Sequence, residues 1–108
     1  MSRFYIKKGD TKPVFEKVLR DINGDYIDLS EVASVTFKMK EFYKGTSKID
    51  SAGSFDESEH EASYTFTGTD TDTKGLYKAE FQLTYDDDTV RTIPQNTYWL
   101  VEVVEDLD

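Results

Sequence analysis

Two groups of aspartates are the residues of this sequence best suited to chemistry, because their carboxylates could bind calcium. Asp70 and Asp72 lie close together, and Asp86 and Asp88 belong to a run of three aspartates. Carboxylate oxygens are the hard ligands that calcium prefers. The spacing lacks the glycine and the bidentate glutamate that an EF-hand loop requires. Aspartates also cap turns through hydrogen bonds to nearby backbone, so a structural role with no bound metal is the leading interpretation.

His60 is the only histidine, and it lies in the acidic segment Asp56–Glu61. An imidazole can act as a base or a metal ligand, and Ser54 and Ser58 could complete a Ser-His-Asp arrangement. No G-x-S-x-G nucleophile turn is present, and a single histidine in a polar loop is usually solvated. The absence of cysteine excludes disulfides, thiolate zinc sites and cysteine nucleophiles. The sequence therefore predicts a protein that is not an enzyme and carries no cofactor.

Tyr98 and Trp99 are adjacent aromatic residues, which invites comparison with the platforms on which sugars stack. Neighbouring residues of a strand point to opposite faces, so one ring is expected in the core and the other on the surface. We expect Trp99 to pack against Phe37 and Phe81, and an exposed Tyr98 to mark a protein contact rather than a sugar site.

The charge of the chain argues against several classes of partner. It has 108 residues with 22 acidic and 13 basic side chains, a formal net charge of −9. Nucleic-acid-binding proteins need basic patches that displace phosphate counterions, so no nucleic-acid ligand is expected. An acidic surface can mimic DNA, meet a basic partner or maintain solubility, and the last is the simplest interpretation.

Length and hydropathy predict one domain, residues 1–108, that folds without covalent staples. The first eight residues lack the apolar stretch of a signal peptide, and no run approaches the roughly 18 apolar residues that cross a bilayer. We expect no membrane partner and synthesis in a reducing cytoplasm.

The segment Gly75–Tyr85 carries the clearest structural pattern. Every second residue from Tyr77 to Tyr85 is apolar or aromatic and the residues between are polar, which predicts a strand with one buried face. The following aspartates and Thr89–Ile93 predict a hairpin that Pro94 ends. Further predicted strands are Phe4–Lys7, Pro13–Leu19, Tyr26–Leu29 after an Asn-Gly turn, Ser34–Lys40, Ala62–Thr67 and the central strand Thr97–Val104.

The segment Tyr43–Glu61 shows the weakest pattern and is predicted as loop, with Ile49 on a short edge strand. Only Asp28–Val32 suggests a helical turn. Seven to eight short strands with regularly spaced turns predict an all-β, antiparallel, immunoglobulin-like β-sandwich.

The order of several landmarks is similar to that of a known family. A turn precedes the first long strand, a second turn leads to a short apolar segment, and the remaining landmarks follow as strands and one turn. They are Gly9–Pro13, Asp25–Leu29, Val35–Lys40, Thr67–Asp72, Gly75–Phe81, the strand before Pro94, and Tyr98–Val103. From Gly9 to about Asp106, the chain resembles the immunoglobulin-like N-terminal domain of the upper baseplate proteins of tailed phages and related small virion proteins.

This resemblance implies a structural component of a tailed-phage particle, at the baseplate, tail, neck or capsid. Its partners would be other virion proteins, it would be present in several copies set by particle symmetry, and it would join the virion in the host cytoplasm. The family has no catalytic residues to transfer. The acidic turns and Tyr43–Glu61 are the predicted contact regions. A carbohydrate-binding or host-adhesion module and an acidic mimic of DNA are the alternatives.

Overall fold

Two β-sheets packed face to face make up the protein, in a computed structural model that describes residues 3–105. Within that range there are nine strands, and no helix long and apolar enough to cross a membrane is present. Of the predicted domain, residues 1–2 and 106–108 lie outside the described range. The strands are β1 (Arg3–Lys7), β2 (Phe15–Val18), β3 (Val32–Glu41), β4 (Ser47–Ala52), β5 (Ser54–Asp56), β6 (Glu61–Tyr64), β7 (Gly75–Tyr85), β8 (Val90–Ile93) and β9 (Trp99–Val104).

The large sheet has the strand order β1-β9-β7-β3-β4, and the small sheet has the order β2-β6-β5. Strand β8 pairs with residues 81–84 of β7, whereas β9 pairs with residues 75–79, so the two share one edge of that strand. All pairs are antiparallel except β1 with β9, which are parallel. The predicted antiparallel β-sandwich is confirmed, with this one parallel pair as an exception. No hairpin joins two strands so far apart in the chain, so nothing forces them to run in opposite directions.

The predicted strand Gly75–Tyr85 is confirmed with both of its boundaries. Tyr77, Ala79, Phe81 and Leu83 are buried between the sheets, as the alternation requires. The last apolar run is also confirmed as a central strand, because β9 lies between β1 and β7, although it begins at Trp99 rather than at the predicted Thr97. Pro94 follows β8 and ends it, as expected of a residue that cannot donate to a ladder.

The prediction of a loop over Tyr43–Glu61 is wrong, because this segment contains β4 and β5 and raises the strand number to nine. Ile49 does lie on an edge strand, where it is buried. The segment is rich in serine and has little alternation of its own. Its strands are specified by pairing with β3 and β6, which single-residue β-propensity does not capture.

The predicted return strand Tyr26–Leu29 is also wrong, since only one bridge forms, between Arg20 and Tyr26. The chain turns at Asn23-Gly24 as predicted, with Gly24 at φ 88°. Pairing stops there because the Asp28 carboxylate accepts a hydrogen bond from the backbone N–H of Ser30, which bends the chain. A single turn closed by Val32 N–H and the Leu29 carbonyl replaces the predicted helical turn.

Three phenylalanines form the centre of the core. Phe37 and Phe81 are cross-strand partners of the large sheet, and Phe15 reaches them from the small sheet. Their ring centroids lie 5.2–5.9 Å apart, and none of the three is accessible to solvent. Aromatic pairs at such distances stabilise beyond their buried area. This cluster joins the two sheets.

Two local features, a tyrosine hydrogen bond and a glycine, fix how the chain passes between the sheets. The Tyr77 hydroxyl donates to the carbonyl of Thr73, four residues earlier, at 2.7 Å. This is the tyrosine-corner arrangement of immunoglobulin-like sandwiches, and it holds the entry into β7. Gly53 lies where the chain leaves β4 in the large sheet and enters β5 in the small one. Its N–H donates to the Val35 carbonyl at 2.8 Å.

Candidate functional site

The four predicted calcium ligands do not come together. Asp70 and Asp72 precede β7, whereas Asp86 and Asp88 follow it. A strand of 11 residues spans roughly 35 Å, so the two groups lie at opposite ends of the sandwich. A single ion could not contact both groups. Within residues 3–105, no group of three or more histidine, cysteine, aspartate or glutamate side chains is placed to hold a metal.

The carboxylates of Asp70 and Asp72 are engaged in local structure. Asp70 accepts hydrogen bonds from the Tyr64 hydroxyl at 2.6 Å and from the backbone N–H of Thr67 at 2.9 Å. Asp72 accepts from Lys48 and from the Thr73 hydroxyl, and these hydrogen bonds, Lys48 first, hold its pKa below the usual value. Asp70 therefore caps the turn before β7, and Asp72 forms an ion pair with Lys48 beside it.

The bond between Tyr64 and Asp70 predicts sensitivity to alkaline pH. Burial first, and the Asp70 carboxylate second, raise the pKa of Tyr64 from 10.0 to about 12. Below the unfolded pKa the phenol is neutral in both states, and its contribution to stability is complete. Above it the unfolded state loses the proton first, so the free energy of unfolding should fall as pH rises from about 10 to about 12.

Urea unfolding at several pH values between about 9 and 11.5 would measure this loss. Tyr64→Phe should flatten the dependence, and Tyr43→Phe, at an exposed position, should leave it unchanged. Burial also raises the pKa of Tyr77, so some slope should remain in the Tyr64 variant. An unchanged slope in Tyr64→Phe would contradict the assignment.

The second aspartate group forms an acidic tip, defined as Asp86, Asp87 and Asp88 together with the neighbouring Glu31. The tip is the turn of the β7–β8 hairpin, and the backbone N–H of Asp86 donates to the Glu31 carbonyl at 2.9 Å. Asp87 caps the turn by accepting from Thr89, which lowers the pKa of its carboxyl group. Asp88 adopts a left-handed φ of 69°. All four side chains are exposed.

The histidine and serines do not assemble into a catalytic arrangement. The Ser58 hydroxyl donates to Asp56 at 2.7 Å, which lowers the pKa of that carboxyl. His60 places Nδ1 3.2 Å from the Ile27 carbonyl and stacks on the Tyr26 ring, with centroids 4.7 Å apart. These contacts hold His60, which immediately precedes β6, against the segment that follows the Asn23-Gly24 turn.

Trp99 and Tyr98 separate as predicted. Trp99 packs against the core, with its ring 5.8 Å from those of Phe81 and Phe15. Phe81 is a predicted partner, whereas Phe15 of the small sheet takes the place expected for Phe37. Tyr98 lies on the outer face of the large sheet, where its ring and that of Phe42 are 5.9 Å apart.

Tyr98 belongs to an aromatic face on the outside of the large sheet, defined by Tyr5, Phe42, Tyr43 and Tyr98. Tyr43 is 86% exposed and Tyr5 is 56% exposed, and the Phe42 ring contacts that of Tyr43 at 4.9 Å. Half-buried Leu76 and Leu100 lie on the same face of β7 and β9. An exposed aromatic and aliphatic group of this kind is typical of contact surfaces.

A recess of about 400 Å³ adjoins the aromatic face, between β3, β4, β7 and the start of β9. We call it the lysine recess, because Lys38, Lys40 and Lys78 line it together with Tyr98. The Lys78 ammonium lies 5.1 Å from the Tyr98 ring centroid and 5.3 Å from that of Phe42. Asp50 and Glu80 also line the recess, and both are cross-strand partners of Lys38.

The sequence interpretation missed most of this face, although a signal for it exists. Residues of β3 with the phase of Lys38 and Lys40 point outward, and Phe42 continues that phase past the end of the strand. Tyr5 has the outward phase of β1 between Arg3 and Lys7. An aromatic residue in an outward position of a half-exposed strand is the pattern that would have revealed the face.

Comparison with known proteins identifies a fold but no family. No protein-family model matches the chain, and no curated protein sequence matches it. Among solved structures it is similar to CopC from Methylosinus trichosporium OB3b, with a TM-score of 0.58 and 8% sequence identity over 100% of this chain and 89% of that one. CopC is an immunoglobulin-like β-sandwich, so this similarity confirms the predicted fold class.

Proposed function

We propose that this chain is a non-enzymatic structural module of a tailed-phage particle, which binds other virion proteins through the outer face of its large sheet. The exposed aromatic face carries the proposal, because an isolated domain gains nothing from placing Tyr5 and Tyr43 in water. Trp, Tyr and Phe are enriched where protein surfaces meet. The order of landmarks in the sequence, which resembles that of baseplate domains, supplies the phage context.

The arrangement of polar residues agrees with a binding role. The Asp70 carboxylate and the Ser58 hydroxyl are hydrogen-bonded to nearby residues of the chain, and the His60 ring nitrogen lies beside the Ile27 carbonyl. The recess on the outer face is lined by lysine, carboxylate and tyrosine side chains, which suit ionic and aromatic contacts.

Mass spectrometry of purified particles tests the proposal. Particles from the strain that encodes the chain should contain it in amounts comparable to those of known tail or capsid components. Deletion of its gene should remove one defined substructure from particles seen by electron microscopy. Absence of the chain from particles, while it is abundant in the same lysate, would refute the virion assignment.

A carbohydrate-binding module is the second candidate, and Tyr98 beside the lysine recess is the observation that favours it. An aromatic wall with lysines nearby could accept an acidic sugar. Binding of the isolated domain to a glycan array, lost in Tyr98→Ala, would support this candidate over a protein-binding role.

A further inference from the structure

We infer that the lysine recess of one copy of this chain receives the acidic tip of a second copy, so that the protein assembles head to tail. The inference rests on the proposed function, because a particle brings many copies of a structural module together, and it names one of the partners.

Lys40 of β3 and Lys78 of β7 are direct cross-strand partners. Like charges opposite one another in a sheet repel and destabilise the pair. The ion pairs of residues 3–105 are Arg3–Glu102, Lys48–Asp72 and Lys74–Glu105, so neither Lys40 nor Lys78 has a carboxylate within 4.0 Å there. A conflict of this kind is expected where a surface serves binding rather than folding.

The neighbours of Lys78 favour an anionic occupant. Lys78 is a half-buried residue, and its ammonium lies 5.3 Å from the Phe42 ring centroid and 5.1 Å from that of Tyr98. Partly buried charge pairs are screened less by salt than exposed ones. Asp50 and Glu80 are both in register with Lys38, whereas Lys40 and Lys78 are in register with each other. Three lysines and two carboxylates leave the recess with a net charge of +1.

The acidic tip offers the complementary charge and shape. It is a hairpin turn that carries Asp86, Asp87 and Asp88, with Glu31 beside it. The charge concentrated in the tip has no ion pair within residues 3–105. A narrow turn can enter an open recess, whereas the flat acidic surface of a sheet could not.

The tip cannot occupy the recess of its own chain. Lys78 and Asp86 are eight positions apart along the chain, and the extended strand between them spans about 25 Å. The contact is therefore possible only between copies. Because each copy carries both a tip and a recess, the contact repeats, and it closes into a ring or extends into a filament.

The net charge of −9 makes whole molecules repel each other, which opposes association. Ionic strength separates this long-range repulsion from the short-range attraction between tip and recess. At about 0.1 M salt the Debye length is about 10 Å, which is shorter than the 46 Å length of the molecule. Repulsion between whole molecules is then screened, while contacts at ion-pair distance persist. Close to 1 M salt the Debye length falls to about 3 Å, and the contact itself should weaken.

Sedimentation velocity of the full chain at about 0.1 M salt, from about 10 μM to 1 mM protein, tests the inference. The wild type should associate as its concentration rises. Lys40→Glu with Lys78→Glu should weaken association about tenfold or more, and Asp86→Lys with Asp88→Lys should do the same. Circular dichroism of each variant checks that it is folded.

Mixing the two charge-reversed variants gives the decisive result. In the mixture, the acidic recess of one variant can meet a tip whose two introduced lysines balance Asp87 and Glu31, and the basic recess of the other variant can meet an acidic tip. The mixture should therefore associate where each variant alone does not. Lys8→Glu with Lys12→Glu, and Glu57→Lys with Glu59→Lys, reverse as many exposed charges elsewhere and should leave association in place.

A wild type that stays monomeric over the whole range would overturn the inference. Association that the Lys40 and Lys78 reversals leave unchanged, or a mixture that fails to associate, would also overturn it. None of these outcomes bears on the presence of the chain in particles, which mass spectrometry tests separately. A monomer that binds an acidic glycan through Lys78 would point to the carbohydrate-binding alternative.

Discussion

Phe37→Ala should lower the free energy of unfolding by about 3–5 kcal/mol, because it removes a fully buried ring from the centre of the core. The Phe37 ring has no solvent exposure and contacts four other rings, those of Phe15, Phe81, Tyr64 and Phe66. The ring removed lies between the sheets, and backbone pairing on both sides of β3 prevents the space from closing. Urea denaturation followed by circular dichroism would measure the change.

The matched control is Tyr43→Ala, which removes an aromatic ring of similar size from an 86% exposed position. Its effect on the free energy of unfolding should stay within about 0.5 kcal/mol. Domains of this size are commonly stable by about 5–15 kcal/mol, so the Phe37 variant should be partly unfolded well below the wild-type transition. A loss below about 1 kcal/mol in Phe37→Ala would show that the core relaxes in a way this packing does not allow.

Gly53→Ala should cost about 1–3 kcal/mol, or more if the strands cannot shift. A Cβ atom at this position would lie 2.8 Å from the backbone carbonyl oxygen of Ser63, and 3.4 Å from a methyl carbon of Val35. The carbonyl belongs to β6 and cannot rotate away as a side chain would. Glycine is required here because the backbone of β6 approaches position 53 closely, and not because of an unusual backbone angle.

Gly68→Ala is the control, because its Cβ atom would meet nothing closer than 3.7 Å. We expect no loss of stability there and a gain of up to about 1 kcal/mol, since alanine restricts the unfolded chain. Thermal unfolding of the two variants side by side would compare them. Equal stability of Gly53→Ala and Gly68→Ala would contradict the steric argument.

The parts of the fold that the sequence predicts are the strands that bury one face only. In β7 the alternation of Tyr77, Ala79, Phe81 and Leu83 follows directly from the separation of core and solvent. The same reasoning predicts β3, whereas the central position of β9 is predicted by its apolar residues on both faces. Their patterns are strong because an error of one residue would expose the whole apolar set.

The segments that the sequence misplaces are those whose structure depends on distant neighbours. Strands β4 and β5 hold few apolar residues. Their backbone groups form hydrogen bonds with β3 and β6, respectively. Residues 26–29 follow a good hairpin turn, yet the Asp28 side chain bonds to local backbone and ends the pairing. Local competition of this kind is invisible to a pattern of apolar and polar residues.

The candidate site was predictable only in part. Adjacent residues on a strand point to opposite faces, and this alone separates Tyr98 from Trp99. The lysine pair was not predictable, because Lys40 and Lys78 are opposed only in one particular register of β3 against β7. The same limit applies to the aspartates, since composition does not reveal that β7 holds the two groups apart.

The parallel pairing of β1 with β9 has a mechanical consequence. Arg3 is paired with Leu100 and Lys7 with Val104, so the chain enters β1 at one end of the pair and leaves β9 at the other. A tensile force applied at the beginning of β1 and at the end of β9 pulls the two strands past each other along their length. The five paired positions then bear the load together, whereas a hairpin pulled from its open end separates one pair at a time. Resistance to tension is thus set by the direction of one strand, independently of which side chains line the surface.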